Sequence, residues 1–282
     1  MLFRSTNFKV RTSSLNLDAP QMQWTDAAAR ALGQQYSNVS LGGRTSGPLM
    51  YNAAFYNLSF QGGRRSNDLQ TLLNTSPLGL QTNGIAADSV ARLLGILRQL
   101  GIPSSVGTPA TQRLSDQGSL LGSFDLAPPQ SRSGSAYNLT VNGSWNRTTP
   151  VSSLTSELPS HSGDRTNWNA GAQFRHSTYF GVGVLSETTV GLNGADATSD
   201  PYLLMPSGTV RVNSLFADGT SSVKSVAFGG NGALALGTRN TTASFRNLLS
   251  WFSEDNKHRI KLTTEVRRDG YAFDQTGNAY GA

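Results

Sequence analysis

The sequence predicts an all-β fold: an antiparallel transmembrane β-barrel segment of about eleven strands, an incomplete barrel, with a short loop helix near 88–100. Three observations predict it. Apolar and polar residues alternate with period two, several alternating runs continue for nine to twelve residues, and the links between runs alternate between short and long. Alternation marks strands because successive side chains point to opposite faces of a sheet. A half-buried soluble sheet alternates too, so the period alone does not distinguish a membrane barrel. Run length does: globular strands commonly have about five or six residues, whereas crossing a bilayer at a tilt takes about 9 to 11.

In chain order, strands are expected near 5–17, 35–42, 49–61, 118–126, 136–147, 166–178, 182–192, 208–217, 221–229, 238–253 and 258–269. The clearest sets Tyr137, Leu139, Val141 and Trp145 on one face against Asn138, Thr140, Asn142 and Ser144 on the other. Near the C-terminus Ile260, Leu262 and Val266 alternate with Lys261, Thr263, Glu265 and Arg267. Weaker versions are Tyr56, Leu58 and Phe60 against Asn57, Ser59 and Gln61, and Trp168, Ala170, Ala172 and Phe174 against Asn167, Asn169, Gln173 and Arg175. Short links are expected at Gly43 to Pro48, Tyr179 to Gly181, Asp218-Gly219 and Glu254 to Lys257, and long ones at 18–34, 62–117, 148–165 and 193–207. Short turns on one rim and long loops on the other are the layout of outer-membrane barrels. Two intermediate links, 127–135 and 230–237, break the parity. Trp251-Phe252, Tyr271 and Phe273 stand near strand ends, as the aromatic girdles of a membrane barrel do and as ordinary sheet-edge packing would also place them.

Composition agrees with a wall that is apolar on one side only. Hydrophobic residues are 37% and charged residues 14%, below the usual shares of about 45–50% and ~25%. A disordered chain would combine low hydrophobicity with high charge and few aromatics, but this one keeps Trp 4, Tyr 8 and Phe 12. The net charge of +6 comes from scattered residues, with short pairs at Arg64-Arg65 and Arg267-Arg268 and no basic helix, so no nucleic-acid partner is expected. No run approaches the ~18 to 20 apolar residues of a membrane helix. Met1-Leu2-Phe3-Arg4-Ser5 lacks the apolar core of a signal peptide, so an exported protein would have its true N-terminus further upstream.

Within the long link 62–117, Asp88 or Ser89 is expected to cap a helix whose apolar residues Val90, Leu93, Leu94 and Leu97 recur at helical spacing, with Gly101 and Pro103 as its stop. Its stripe would pack on its own loop or line a ligand entrance.

Catalytic, cofactor and metal residues are expected to be absent, and no ligand-binding residue is identifiable. There is no cysteine, which excludes thiol chemistry and Cys-ligated metals. His161, His176 and His258 lie far apart without metal-ligand spacing. Ser160-His161-Ser162-Gly163-Asp164 holds the letters of a catalytic triad, but that relay needs side chains converging from different segments. Gly181-Val182-Gly183 and Gly229-Gly230-Asn231-Gly232 lack the following helix of a phosphate-binding turn. Asn138, Asn142 and Asn146 begin Asn-x-Ser/Thr triplets of the kind a chain rich in these residues makes by chance.

Two stretches carry a family resemblance. Gly62-Gly63-Arg64-Arg65-Ser66-Asn67-Asp68-Leu69-Gln70-Thr71-Leu72-Leu73, continuing through Leu78-Gly79-Leu80 to Asp88-Ser89-Val90, resembles an early outer loop of TonB-dependent receptors, in the subgroup with an N-terminal carboxypeptidase-regulatory-like domain. Trp251-Phe252-Ser253-Glu254-Asp255-Asn256-Lys257-His258-Arg259-Ile260-Lys261-Leu262 resembles a periplasmic turn and its flanking strands in that group. The resemblance implies an outer-membrane receptor of about 22 strands with a plugged lumen, taking up a bound nutrient with energy delivered through TonB. It implies as partners outer-membrane lipid, an extracellular ligand and, through the plug, TonB itself. No TonB box, plug or regulatory-like domain is recognisable, so residues 1–282 are expected to form part of the barrel, from its first half, with 62–117 as an extracellular loop and no enzymatic role. A surface adhesin built as a sandwich or solenoid, and a small passive porin, are the competing expectations.

Overall fold

The computed structural model describes residues 13–25, 35–129, 131, 133–151, 156–181, 183–254 and 257–276. Eight long strands carry the fold: β3 (Tyr36–Met50), β4 (Ala54–Asp68), β5 (Gln112–Leu126), β6 (Ala136–Thr149), β7 (Gly163–Phe180), β8 (Val184–Pro201), β11 (Leu236–Phe252) and β12 (Arg259–Gln275). Each pairs antiparallel with the next, in the order β3-β4-β5-β6-β7-β8-β11-β12, and among the described residues no pairing closes the sheet into a barrel. Two short strands, β1 (Ser14–Leu17) and β2 (Gln21–Trp24), both pair with β3 and form the other edge. The all-β antiparallel class is as expected.

β1 and β2 read as one strand interrupted by a bulge. Leu17 lies opposite Gly43 and Gln21 opposite Ser40, so Asp18-Ala19-Pro20 face only Leu41-Gly42, one residue more than the partner. The extra residue resets the phase: Leu15 and Leu17 share a face with Met22 and Trp24 although the first pair is odd-numbered and the second even. Without it Gln21 and Gln23 would turn to the apolar side, because one residue of slip exchanges the faces. Pro20, which has no N–H to donate, stands at the interruption. Residues 18–34 were expected as a link; 21–24 are strand instead. The rest of the expected first strand, 5–12, lies outside the described residues.

The remaining differences concern links. Gly43 to Pro48 is not a turn, since β3 runs through it and reverses only at Tyr51-Asn52-Ala53, where Asn52 takes a left-handed conformation (φ 56) that asparagine tolerates. The long link is 69–111 rather than 62–117, because β4 and β5 continue in register up to Asp68 opposite Gln112. Arg64 and Arg65 therefore lie in the wall, not in an outer loop. Asp218-Gly219 does turn the chain, within a five-residue connection. Its strands β9 (Ser207–Leu215) and β10 (Ser221–Gly229), however, form a separate two-stranded sheet, and β11 pairs directly with β8. With that hairpin counted as part of one long link, 202–235, the link 230–237 no longer breaks the parity, and 127–135 stays intermediate. Links 51–53, 127–135, 181–183 and 253–258 share one rim, and 25–35, 69–111, 150–162 and 202–235 share the other.

The long links build their own core. Two helices, α1 (Pro77–Thr82) and α2 (Ala87–Gln99), pack with β9, β10 and a 3-10 turn (Pro159–His161) around Leu72, Leu80, Ile85, Val90, Leu93, Leu97, Leu158, Val212 and Val226. The expected helix stripe thus packs on its own loop and on two others as well. Ala86 occupies the N-cap position; Asp88 sits in the first turn, and Ser89 donates its hydroxyl to the Asn213 carbonyl rather than capping. At the other end Gly101 (φ +71) and Ile102 return N–H bonds to Arg98 and Leu97, a Schellman stop.

Candidate functional site

The wall has two chemically distinct faces, and neither is covered. Following the strand registers, one face carries Leu58, Phe60, Leu120, Phe124, Leu139, Val141, Trp145, Trp168, Phe174, Val190, Leu192, Phe245, Leu249, Ile260, Leu262 and Val266. The opposite face carries mainly Ser, Thr, Asn and Gln together with Asp125, Arg175, Glu187, Arg246, Lys261 and Glu265, with scattered apolar residues among them, Leu121, Leu185 and Leu248. Tyr271 and Phe273 also lie on it and therefore do not belong to a girdle on the apolar face. Every buried hydrophobic residue lies in the long links, apart from Ala53 and Ala54 beside the first short turn. A soluble sandwich would bury Leu139, Ile260 and Leu262 under a second sheet; here all three are exposed, the last two by 60% or more. All four tryptophans, Trp24, Trp145, Trp168 and Trp251, point from the apolar face and are between 41% and 62% exposed.

The apolar face has a sharp upper limit. Moving up from the short-turn rim, the first Asp, Glu, Lys or Arg on that face is Arg64 on β4, Asp116 on β5, Arg147 on β6, Asp164 on β7, Asp196 on β8, Arg239 on β11 and Arg268 on β12. The charge-free stretch spans five face positions on β6 (Tyr137 to Trp145) and six on β8 (Val184 to Gly194), about 27 to 34 Å along the strand at ~3.4 Å per residue. Most of the limiting charges are neutralised in pairs. Arg64 grips Asp116 bidentately at 2.6 and 2.9 Å, Arg147 reaches Asp164 at 2.6 Å, and Arg239 reaches Asp196 at 3.0 Å. Asp164 also accepts from Thr149 and, at 2.9 Å, from the Tyr202 hydroxyl.

This limit is oblique to the registers. The row of directly paired residues through Arg64 passes Asp116, Arg147, Thr166, Thr198 and Gly237 and ends at Asp274, but the limiting charge on β12 is Arg268, six residues further from the loop rim. Six residues at ~3.4 Å against six strand spacings at ~4.8 Å give an inclination of about 35°. Strands tilted by that angle would bring the limiting charges to one level.

The loop rim carries the second feature, a cap knitted from three links. The Ala86 N–H donates to Ser214 Oγ at 2.9 Å, the Leu158 N–H to the Ala227 carbonyl at 2.9 Å, and the Ser160 N–H to the Ser104 carbonyl at 3.1 Å. Ser160 and His161 are buried within it, where Ser160 Oγ and His161 Nδ1 have no hydrogen-bond partner. The Asp164 carboxylate is engaged on the wall, so these residues form no Ser-His-Asp relay. His176 stacks on Tyr137 at 4.5 Å and His258 lies at the opposite rim. Among the described residues no group of His, Cys, Asp and Glu could hold a metal. On the tip of the β9–β10 hairpin, Asp218 accepts from the Thr220 hydroxyl and N–H, which hold its carboxyl below the usual range.

Among the described residues no helix is long and apolar enough to cross a membrane, which says nothing of strands. Compared with known proteins, the chain matches no family, no curated protein and no solved structure.

Proposed function

We propose that this chain forms wall and cap of an outer-membrane β-barrel, and that the barrel belongs to a TonB-dependent receptor or transporter of the subgroup with an N-terminal carboxypeptidase-regulatory-like domain. The observation that carries the membrane part is the uncovered, charge-free face with its oblique charged limit. Only a solvent as apolar as lipid favours leaving that surface uncovered. At an inclination near 35° to 40° the charge-free stretch is about 21 to 28 Å tall, against a band of about 25 Å in outer-membrane barrels whose strands tilt by about 35–45°. The polar face then lines the lumen. The receptor part is supported by the resemblance of the segments beginning at Gly62 and at Trp251. In that reading the cap is the recognition surface for an unidentified extracellular nutrient, and energy coupling would pass through a plug to TonB.

Because the chain contains no cysteine, single substitutions report topology cleanly. In intact cells Thr220→Cys on the hairpin tip should react with a membrane-impermeant maleimide, whereas Glu254→Cys at the opposite rim should react only after the outer membrane is breached. Labelling of Glu254→Cys alone reverses the sides; equal labelling of both in intact cells removes the proposal.

A further inference from the structure

We infer that the apolar face holds a membrane lipid with an anionic phosphate headgroup, the phosphate on Arg268 and an acyl chain along a trough of small side chains beside it; this rests on the membrane reading above. The trough is a depression of about 580 Å3 across β7, β8, β11 and β12. Two adjacent registered rows make its floor. In one, Ala170, Gly194, Thr241 and Gly270 lie opposite one another in turn; in the next, Ala172, Leu192, Ala243 and Arg268 do. Six of these eight are glycine, alanine or threonine, so the surface dips where the neighbouring stretches carry Phe174, Val190 and Phe245. The Trp168 ring flanks the dip: a Cβ placed on Gly194 would come within 3.6 Å of it.

Arg268 gives the trough its chemistry. The other arginines at the limit of the apolar face, Arg64, Arg147 and Arg239, each have a carboxylate partner. Among the described residues Arg268 has none, and it is the sole charged side chain lining the depression. An unpaired guanidinium at the edge of a lipid-facing band reaches headgroup level, and a phosphate oxygen pair matches its planar fork. A free phosphate would satisfy the charge but leave the alanine and glycine floor unfilled. A lipid satisfies both, its acyl chain lying along the open dip.

The test uses the full chain with Trp168 as its sole tryptophan (Trp24→Phe, Trp145→Phe, Trp251→Phe), placed in lipid nanodiscs with chain-brominated phosphatidylglycerol or phosphatidylcholine. The anionic lipid is expected to quench Trp168 with about five-fold preference, the factor one arginine near an anionic headgroup supplies. Arg268→Gln should abolish the preference while leaving quenching by phosphatidylcholine, Arg268→Lys should keep part of it, and Ala243→Leu, which fills the floor, should reduce it. Equal quenching by both lipids in the Arg268 protein overturns the inference and leaves the membrane reading standing. No quenching by either lipid overturns the membrane reading itself. Loss of the preference on adding soluble glycerol phosphate assigns Arg268 to a free anion instead of a lipid.

Discussion

The wall and the cap are built from one chain by opposite rules. In the cap, apolar residues from three links converge on nine buried positions, and backbone bonds tie the links together. In the wall, eight strands of 14 to 18 residues alternate as regularly as any half-buried sheet, yet none of the described residues packs over their apolar face. The cap follows the hydrophobic effect in water, where apolar groups leave solvent by packing on each other. In the proposed barrel, lipid takes the place of that packing along the wall. On the proposed membrane reading one fold records two solvents, and the level at which the apolar face meets Arg64, Asp116, Arg147 and Asp196 marks the border between them.

Removing one side chain from the cap core should separate the regions most strongly. Leu158 is fully buried, and Leu158→Ala is expected to cost about 2–5 kcal/mol through lost burial and the cavity left behind. Hydrogen exchange should then accelerate across 77–99 and 207–229, while β6 and β7 keep their protection. Simultaneous loss in both regions would mean that wall and cap are one cooperative unit.

A charge placed on either face of the wall sharpens the contrast from the other side. Val141→Arg, in the middle of the apolar face, should destabilise the chain by about 2–4 kcal/mol in lipid. Asn142→Arg, one residue on and facing the other way, should stay within about 0.5 kcal/mol. Urea unfolding from phosphatidylcholine vesicles measures both. Equal effects would mean that the two faces meet the same solvent.

The smallest effect lies at the hairpin tip. Asp218 is held below its ordinary range by hydrogen bonds from Thr220, with the hydroxyl as the larger cause. A carboxyl with a lowered folded pKa supports the fold above its unfolded value, about 3.9, and loses that support as pH falls through the folded one. The amides of Gly219 and Thr220 should therefore exchange faster relative to the wall on acidification below that point, and Asp218→Asn should largely remove the dependence.

Sequence and structure agree wherever local alternation and global packing require the same thing. Tyr137 to Trp145 and Ile260 to Val266 were legible as strands because no other element competes for their faces. β3 was misread because Gly42-Gly43 and Gly47-Pro48 look like turn signals. Gly43 instead permits close approach, since a Cβ there would meet the Asn16 carbonyl, Leu17 and Phe60 at 3.0 Å, and Pro48 lies past the end of β1. The hairpin 207–229 was legible as strands but not as cap, because period two is the same in both. Its nine-residue strands against 14 to 18 in the wall were the available clue. The Ser76-Pro77 pair, a cap residue followed by proline at the first helical position, is the local signal for α1. The bulge at Asp18-Ala19-Pro20 was readable only as a break in alternation, and the charged limit only once the registers placed seven strands side by side.

The central claim is that one face of the wall meets lipid and the other meets water, and β6 tests it most directly. Single cysteines at each position from Tyr137 to Asn146, spin-labelled and reconstituted in lipid, should alternate strictly. The odd positions should be relaxed by membrane-soluble oxygen, and the even positions by a water-soluble nickel chelate. Uniform access of the nickel chelate along the strand, or alternation in the opposite phase, would contradict the account.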